Sequence, residues 1–144
     1  MSLNKLIEIR EKKNLSQRAM ANELNVSKST YARWETLEQY IPLTKLNTIC
    51  NKYNISMDYL MGLSKQNKKY PIIKELDKKL IGSNLKKIRK DNNVNQEYIA
   101  SIFNTTHSTI SAYENGKTLI LTIFLVEFCK QFNVSMDEIC KTKL

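Results

Sequence analysis

Lys28, Ser29 and Arg33 bring an ammonium, a hydroxyl and a guanidinium into one short segment. If that segment is helical, Arg33 stands four residues after Ser29 on the same face, while Tyr31 and Trp34, three apart, belong to the buried side. Such side chains donate hydrogen bonds and carry positive charge, which suits recognition of a partner rich in acceptors. Bond-making chemistry has little to rest on. The chain has one histidine, His107, no Gly-rich phosphate loop, no metal-ligand cluster and no nucleophile paired with a base. No enzymatic activity, metal or cofactor is expected. A net charge of +9 on 144 residues favours a polyanionic partner, through attraction and counterion release.

The elements that must position these groups occur twice. Arg10 recurs as Arg89, Gln17 as Gln96, Ala21 as Ala100, Asn25 as Asn104, Glu35 as Glu114, and Ser56-Met57-Asp58 as Ser135-Met136-Asp137. The constant offset of 79 residues, without a gap, marks an internal tandem repeat. We therefore expect an N-terminal domain over 1–63, a basic linker over 64–79 that is partly helical, and a C-terminal domain over 80–144. The linker carries six Lys or Arg against two acids (+4), more than either flanking part: nine against six (+3) before it and eight against six (+2) after it. It reads equally as a solvated connector and as a phosphate-tracking one. Ser64 to Pro71 reads as flexible, and Ile72, Ile73, Leu76 and Leu80 as a helical stripe that extends the first helix of the C-terminal domain.

With 3 Gly, 2 Pro and 42% hydrophobic residues, the composition leans towards helical globular domains. No apolar run reaches membrane-spanning length, and the N-terminus lacks a signal-peptide pattern, so a cytoplasmic location is expected. Cys50 and Cys129 occupy equivalent positions in apolar helical patterns and read as small core residues.

Each copy reads as five short helices. Leu3, Leu6, Ile7 and Ile9 form the stripe of a first helix, matched by Leu80, Ile81, Leu85 and Ile88. Ser16 and Asn95 cap second helices, and Ser27 and Thr106 cap third ones. Between them Asn25 and Asn104 sit where the chain reverses, Asn being the best residue after Gly at tolerating a left-handed turn. Ala21 and Ala100 allow the two helices to cross closely. Fourth helices run through Leu46 and Leu125, and short fifth ones are capped by Ser56 and Ser135.

This layout is helix-turn-helix. The runs Leu15-Ser16-Gln17, Asn25-Val26-Ser27, Trp34-Glu35 and Ile55-Ser56-Met57-Asp58-Tyr59-Leu60 resemble the phage-repressor and Cro helix-turn-helix family. The second copy resembles it as well, in Tyr113-Glu114-Asn115-Gly116-Lys117 and Val134-Ser135-Met136-Asp137. The resemblance implies an all-α chain of two tandem five-helix lambda-repressor-like domains and a transcriptional regulator, expected to act as a repressor, whose partner is double-stranded DNA.

In that geometry the third helix enters the major groove. Lys28, Ser29 and Arg33 would then meet base edges, as would His107 and Ser108 in the second copy, where Ala112 stands in place of Arg33. Gln17 and Gln96, at the start of the second helices, have a phosphate role implied by the family, and Thr30, Lys45, Thr109 and Lys117 are further phosphate candidates, Lys45 reading almost equally as plain surface. Arg10 with Glu35, and Arg89 with Glu114, are expected to be structural ion pairs. Copy one departs from the Asn-Gly-Lys turn at Thr36-Leu37-Glu38, which puts its backbone contact there in question. His107 reads as a surface residue, a base contact or a metal ligand. The run Leu119 to Val126 is more apolar than one buried face requires, which suggests a homodimer through the C-terminal domain. An alternative reading keeps the fold but uses one or both copies as a protein-interaction module, as an antitoxin or a regulator's partner would.

Overall fold

The computed structural model describes residues 2–144, and all ten regular elements among them are α-helices. The chain divides into two compact units, residues 1–69 and 70–144. Unit 1 contains α1 (Asn4–Lys12), α2 (Gln17–Glu23), α3 (Lys28–Thr36), α4 (Leu43–Tyr53) and α5 (Met57–Leu60); unit 2 contains α6 (Lys78–Asp91), α7 (Gln96–Phe103), α8 (His107–Glu114), α9 (Thr122–Phe132) and α10 (Met136–Lys141). No helix among the described residues is long and apolar enough to cross a membrane.

Local chemistry sets the helix starts. The side chains of Ser16, Ser27 and Ser56 accept from the backbone N–H groups of Ala19, Thr30 and Tyr59. Asn95, Thr106 and Ser135 do the same for Tyr98, Thr109 and Glu138. Each such cap stabilises its helix by about 1 kcal/mol. The reversals use asparagine: Asn25 and Asn104 between the second and third helices have φ of 56° and 52°, and Asn14, Asn54, Asn93 and Asn133 adopt the same left-handed conformation.

Packing then closes each unit around its α2–α3 or α7–α8 pair. Ala21 and Ala100 are buried at these crossings, among Leu6, Met20, Tyr31, Trp34 and Leu46 in unit 1 and Leu85, Ile99, Ile110, Leu125 and Phe128 in unit 2. Each fully buried large side chain contributes about 1.5–3 kcal/mol, which makes two small but separate cores. Cys50 and Cys129 lie buried in α4 and α9.

The units differ at their first helix. α6 starts with Lys78 and crosses α8 so closely that a Cβ on Gly82 would stand 2.7 Å from the Glu114 carbonyl oxygen and closer still to that of Tyr113. Position 3, the counterpart of Gly82, is Leu3, which caps the shorter α1 and donates its N–H to the Glu35 carbonyl at 2.8 Å.

The connector corrects the sequence reading. Ile72, Ile73 and Leu76 are not helical, and Ile72 is 74% exposed. The helix begins only at Lys78 because the Asp77 carboxylate accepts from the N–H groups of Lys79 and Leu80, a cap that stops the helix from growing backwards. Nor is the start of the connector unattached. Asn67 accepts from the Ser56 N–H at 2.8 Å and donates to the Asn54 carbonyl at 3.2 Å, holding that segment on unit 1. On the other side Tyr70 belongs to unit 2, its ring 5.7 Å from the Lys141 ammonium.

Candidate nucleic-acid interface

The third helix of unit 1 sorts its residues by face. Tyr31, Trp34 and Glu35 are buried, whereas Lys28, Ser29 and Arg33 are all exposed. Cap chemistry fixes the first turn: the Ser27 hydroxyl takes the Thr30 N–H and donates to the Thr30 hydroxyl at 2.9 Å, with the Ser29 hydroxyl 3.3 Å away. Thr30 is thereby half-buried in the cap. The result is an ammonium, a hydroxyl and a guanidinium on one rigid, solvent-facing surface.

A repeated network holds that helix in place. The Arg10 guanidinium spans three elements, donating from Nε to Glu35 Oε2 at 2.6 Å, from Nη2 to Glu35 Oε1 at 3.3 Å, and from Nη1 to the Leu15 carbonyl at 3.0 Å. Arg89 repeats the pattern with Glu114 and the Val94 carbonyl, at 2.6, 3.0 and 3.0 Å. The first helix, the turn after it and the end of the third helix are thus tied at one guanidinium. Burial, the largest single influence, would raise the Glu35 carboxyl pKa, but the Arg10 hydrogen bonds and charge, with Tyr31 and Gln17, together outweigh it and hold the carboxyl below its ordinary value. The Arg10 and Arg89 guanidinium pKa values are raised, first of all by hydrogen bonding to these glutamates.

Two phosphate candidates are repositioned by this network. Gln17 and Gln96 turn their side-chain amides inward, donating to Glu35 Oε1 at 3.0 Å and to Glu114 Oε1 at 2.9 Å. With those amides spent inward, the starts of α2 and α7 present backbone N–H groups and, in α2, the exposed Arg18. Lys45 donates to the Leu24 carbonyl at 3.0 Å, so it caps the C-terminal end of α2 instead of standing free for a phosphate. Both outcomes follow from unsatisfied groups nearby, a buried carboxylate and a helix-end carbonyl, which sequence spacing does not display.

Unit 2 presents a different surface on the same scaffold. His107 and Ser108 are exposed at the start of α8, but His107 Nε2 lies 3.9 Å from Glu97 Oε1. Glu97 occupies the position that the exposed Arg18 holds in α2, a reversal of charge that a residue-by-residue alignment of the two repeats displays. Thr109 shares its hydroxyl with Thr106 at 3.0 Å, and Lys117 is exposed.

After the third helix the two turns converge. Leu37 takes φ 61° where the second copy has Gly116 at φ 72°. Gln39 and Thr118 then donate their N–H groups to the Arg33 and Ala112 carbonyls, at 3.2 and 3.4 Å. Unit 1 keeps the turn's shape without its glycine, at a cost of about 1–2 kcal/mol for a left-handed leucine.

Comparison with known proteins agrees with this architecture. The Helix-turn-helix family matches residues 6–60 and again 85–139. The chain belongs to the phage-repressor and Cro-type helix-turn-helix family, as two tandem copies. It is 36% identical over 76 residues to the HTH-type transcriptional regulator AnsR of Bacillus subtilis (strain 168), covering 53% of this chain and 66% of that one. It is 35% identical over 60 residues to the antitoxin PezA of Streptococcus pneumoniae serotype 4 (strain ATCC BAA-334 / TIGR4), covering 42% and 38%. The uncharacterized HTH-type transcriptional regulator YobD of Bacillus subtilis (strain 168) is 30% identical over 64 residues, covering 44% and 57%. The chain thus spans less than two thirds of the length of each of these relatives.

Proposed function

We propose that this chain is a transcriptional regulator, a repressor in the simplest form, that binds double-stranded DNA in the cytoplasm by placing α3 in the major groove. Lys28, Ser29 and Arg33 read base edges. Arg33 takes a guanine, a bidentate contact worth about 1–3 kcal/mol of discrimination. The observation that carries this reading is the exposure of all three on a helix whose other face is locked into the core. Backbone N–H groups at the starts of α2 and α7, with Lys117, hold phosphates and set the register. His107 and Ser108 give α8 a weaker, different preference, since Ala112 offers no donor and Glu97 repels the backbone.

Selection of bound duplexes from a random pool by the whole chain tests this. A defined motif should emerge, and Lys28→Ala with Arg33→Ala should abolish it while leaving the melting temperature unchanged. Retention of the same sequence preference by that double variant would transfer the function to protein interaction.

One observation supports a second role for unit 2. Leu121 is 56% and Ile123 39% exposed at the start of α9, where unit 1 has Pro42 and Thr44. A second copy of the chain covers this face in our reading, giving a homodimer. Sedimentation should find a dimer that Leu121→Glu with Ile123→Glu converts to monomer; a wild-type monomer at tens of micromolar would remove this role.

A further inference from the structure

Unit 1 carries a groove of about 610 Å³ that shares no lining residue with α2 or α3. α1, the end of α4 and α5 build it. Lys5, Lys12, Lys13 and Lys52 line it beside Tyr53 and Tyr59, and Glu8 is the sole acid in the lining. The ammonium groups gather over the rings: Lys5 lies 4.8 Å from the Tyr59 centroid, and Lys13 and Lys52 lie 5.3 and 6.0 Å from that of Tyr53. Internal carboxylates answer only part of this charge. Glu8 meets Lys5 at 3.5 Å and Glu23 meets Lys52 at 3.4 Å, whereas neither Lys12 nor Lys13 has a carboxylate partner among the described residues.

The second copy serves as a control for whether the fold needs these lysines. At the corresponding positions it has Asn84, Asp91, Asn92 and Gln131, with Glu138 in place of Tyr59. Asn84 is spent internally, donating to the Ile139 and Thr142 carbonyls at 2.8 and 2.7 Å. The scaffold therefore stands with the positive charge removed, and the charge in unit 1 is not explained by packing.

The geometry points to a binding site in this groove for a small phosphorylated ligand of the nucleotide class. Its phosphates lie among Lys12, Lys13 and Lys52, and its planar base lies beside the tyrosines. Compact ammonium groups on flexible stems suit phosphate oxygens, aromatic side chains suit a flat heterocycle, and the volume lies in the range that such ligands fill. The base-reading side chains belong to another element and line no part of this groove.

Titration calorimetry of the full chain with ATP, and separately with inorganic tripolyphosphate, tests the assignment. We expect saturable ATP binding tighter than about 1 mM and clearly tighter than tripolyphosphate. Lys12→Gln with Lys13→Gln and Lys52→Gln should weaken ATP binding at least tenfold. Arg33→Ala, and Lys86→Gln with Lys87→Gln and Lys90→Gln in unit 2, should leave it unchanged. All the substituted side chains are exposed, and an unchanged melting curve for each variant keeps the comparison valid. Equal binding of ATP and tripolyphosphate, equal loss in the unit 2 variant, or an effect of the groove lysines on duplex DNA affinity alone would each overturn the proposal. The Arg33 arm separates failure here from failure of base reading.

Discussion

The two units share an interior and diverge on their surfaces. The Arg-Glu-Gln network recurs atom for atom, from Arg10, Glu35 and Gln17 to Arg89, Glu114 and Gln96. So do the caps of the second, third and fifth helices and the left-handed asparagines. Outward positions follow no such rule: Arg18 becomes Glu97, Arg33 becomes Ala112 and Thr44 becomes Ile123, while the half-buried Lys45, which caps α2, gives way to Phe124, stacked on Phe103 at 4.9 Å. Inward side chains answer to a fixed set of backbone and carboxylate partners, so changing one leaves a buried group unsatisfied. Outward ones answer only to whatever binds. In the function proposed above, unit 1 takes the charged recognition and unit 2 the apolar association.

Unit 2 adds a buried ion pair that unit 1 lacks, and the largest effect should arise there. Lys141 donates to Asp137 at 2.7 Å with side chains 5% and 0% exposed, while the corresponding position in unit 1 is Gly62. Lys141→Ala removes the ammonium partner of a buried carboxylate and should cost unit 2 about 3–5 kcal/mol. Hydrogen exchange resolved by unit would read this loss, with unit 1 unchanged. A Lys141→Ala chain whose unit 2 amides keep their protection would show that the pair contributes no stability.

A smaller effect should separate the two first helices. Gly82→Ala places a methyl group against the Tyr113 and Glu114 carbonyls, backbone atoms that cannot swing aside, so α6 must retreat from α8. The expected cost is about 1–3 kcal/mol. Because Glu114 anchors Arg89, the same shift should loosen the network in unit 2. Leu3→Ala in unit 1 removes a buried side chain without any clash, and should lower stability without moving α3. Chemical shifts of the third-helix amides distinguish the two: they should move in Gly82→Ala only.

Much of this was legible in the sequence because it depends on short-range chemistry. Ser16, Ser27 and Asn25 announce helix starts and a left-handed turn by type alone, and the offset of 79 carries each signal to the second copy. What stayed hidden depends on groups brought together by folding. The inward turn of Gln17 requires knowing that Glu35 Oε1 can accept a second donor beside Arg10. The capture of Lys45 requires knowing that the end of α2 presents the Leu24 carbonyl. Ile72, Ile73 and Leu76 have helical spacing, yet the Asp77 cap outweighs spacing because two real hydrogen bonds compete with a pattern. The basic groove was invisible since its lysines come from separate stretches of chain.

The smallest effect concerns acid, and it tests whether the shared network stabilises unit 1 through charge or only through shape. The Glu35 carboxyl has a lower pKa in the folded chain than its ordinary value, because burial, the largest single influence, is outweighed by the hydrogen bonds and charge of Arg10 together with neighbouring donors. A lowered folded pKa means that the unfolded chain binds the proton more readily. The contribution of Glu35 is therefore complete above the unfolded carboxylate range of about 4.3 and disappears as pH falls through the folded value. Glu35→Gln keeps the size of the side chain and loses the titration. The gap in unfolding midpoint between wild type and Glu35→Gln should be constant from about pH 6 to pH 8 and should narrow below about pH 4. Arg10 remains protonated throughout that window, so the narrowing reports the glutamate alone. A gap independent of pH would mean that the charged pair adds nothing beyond the geometry that glutamine also supplies, and the common scaffold of the two units would then rest on shape and caps.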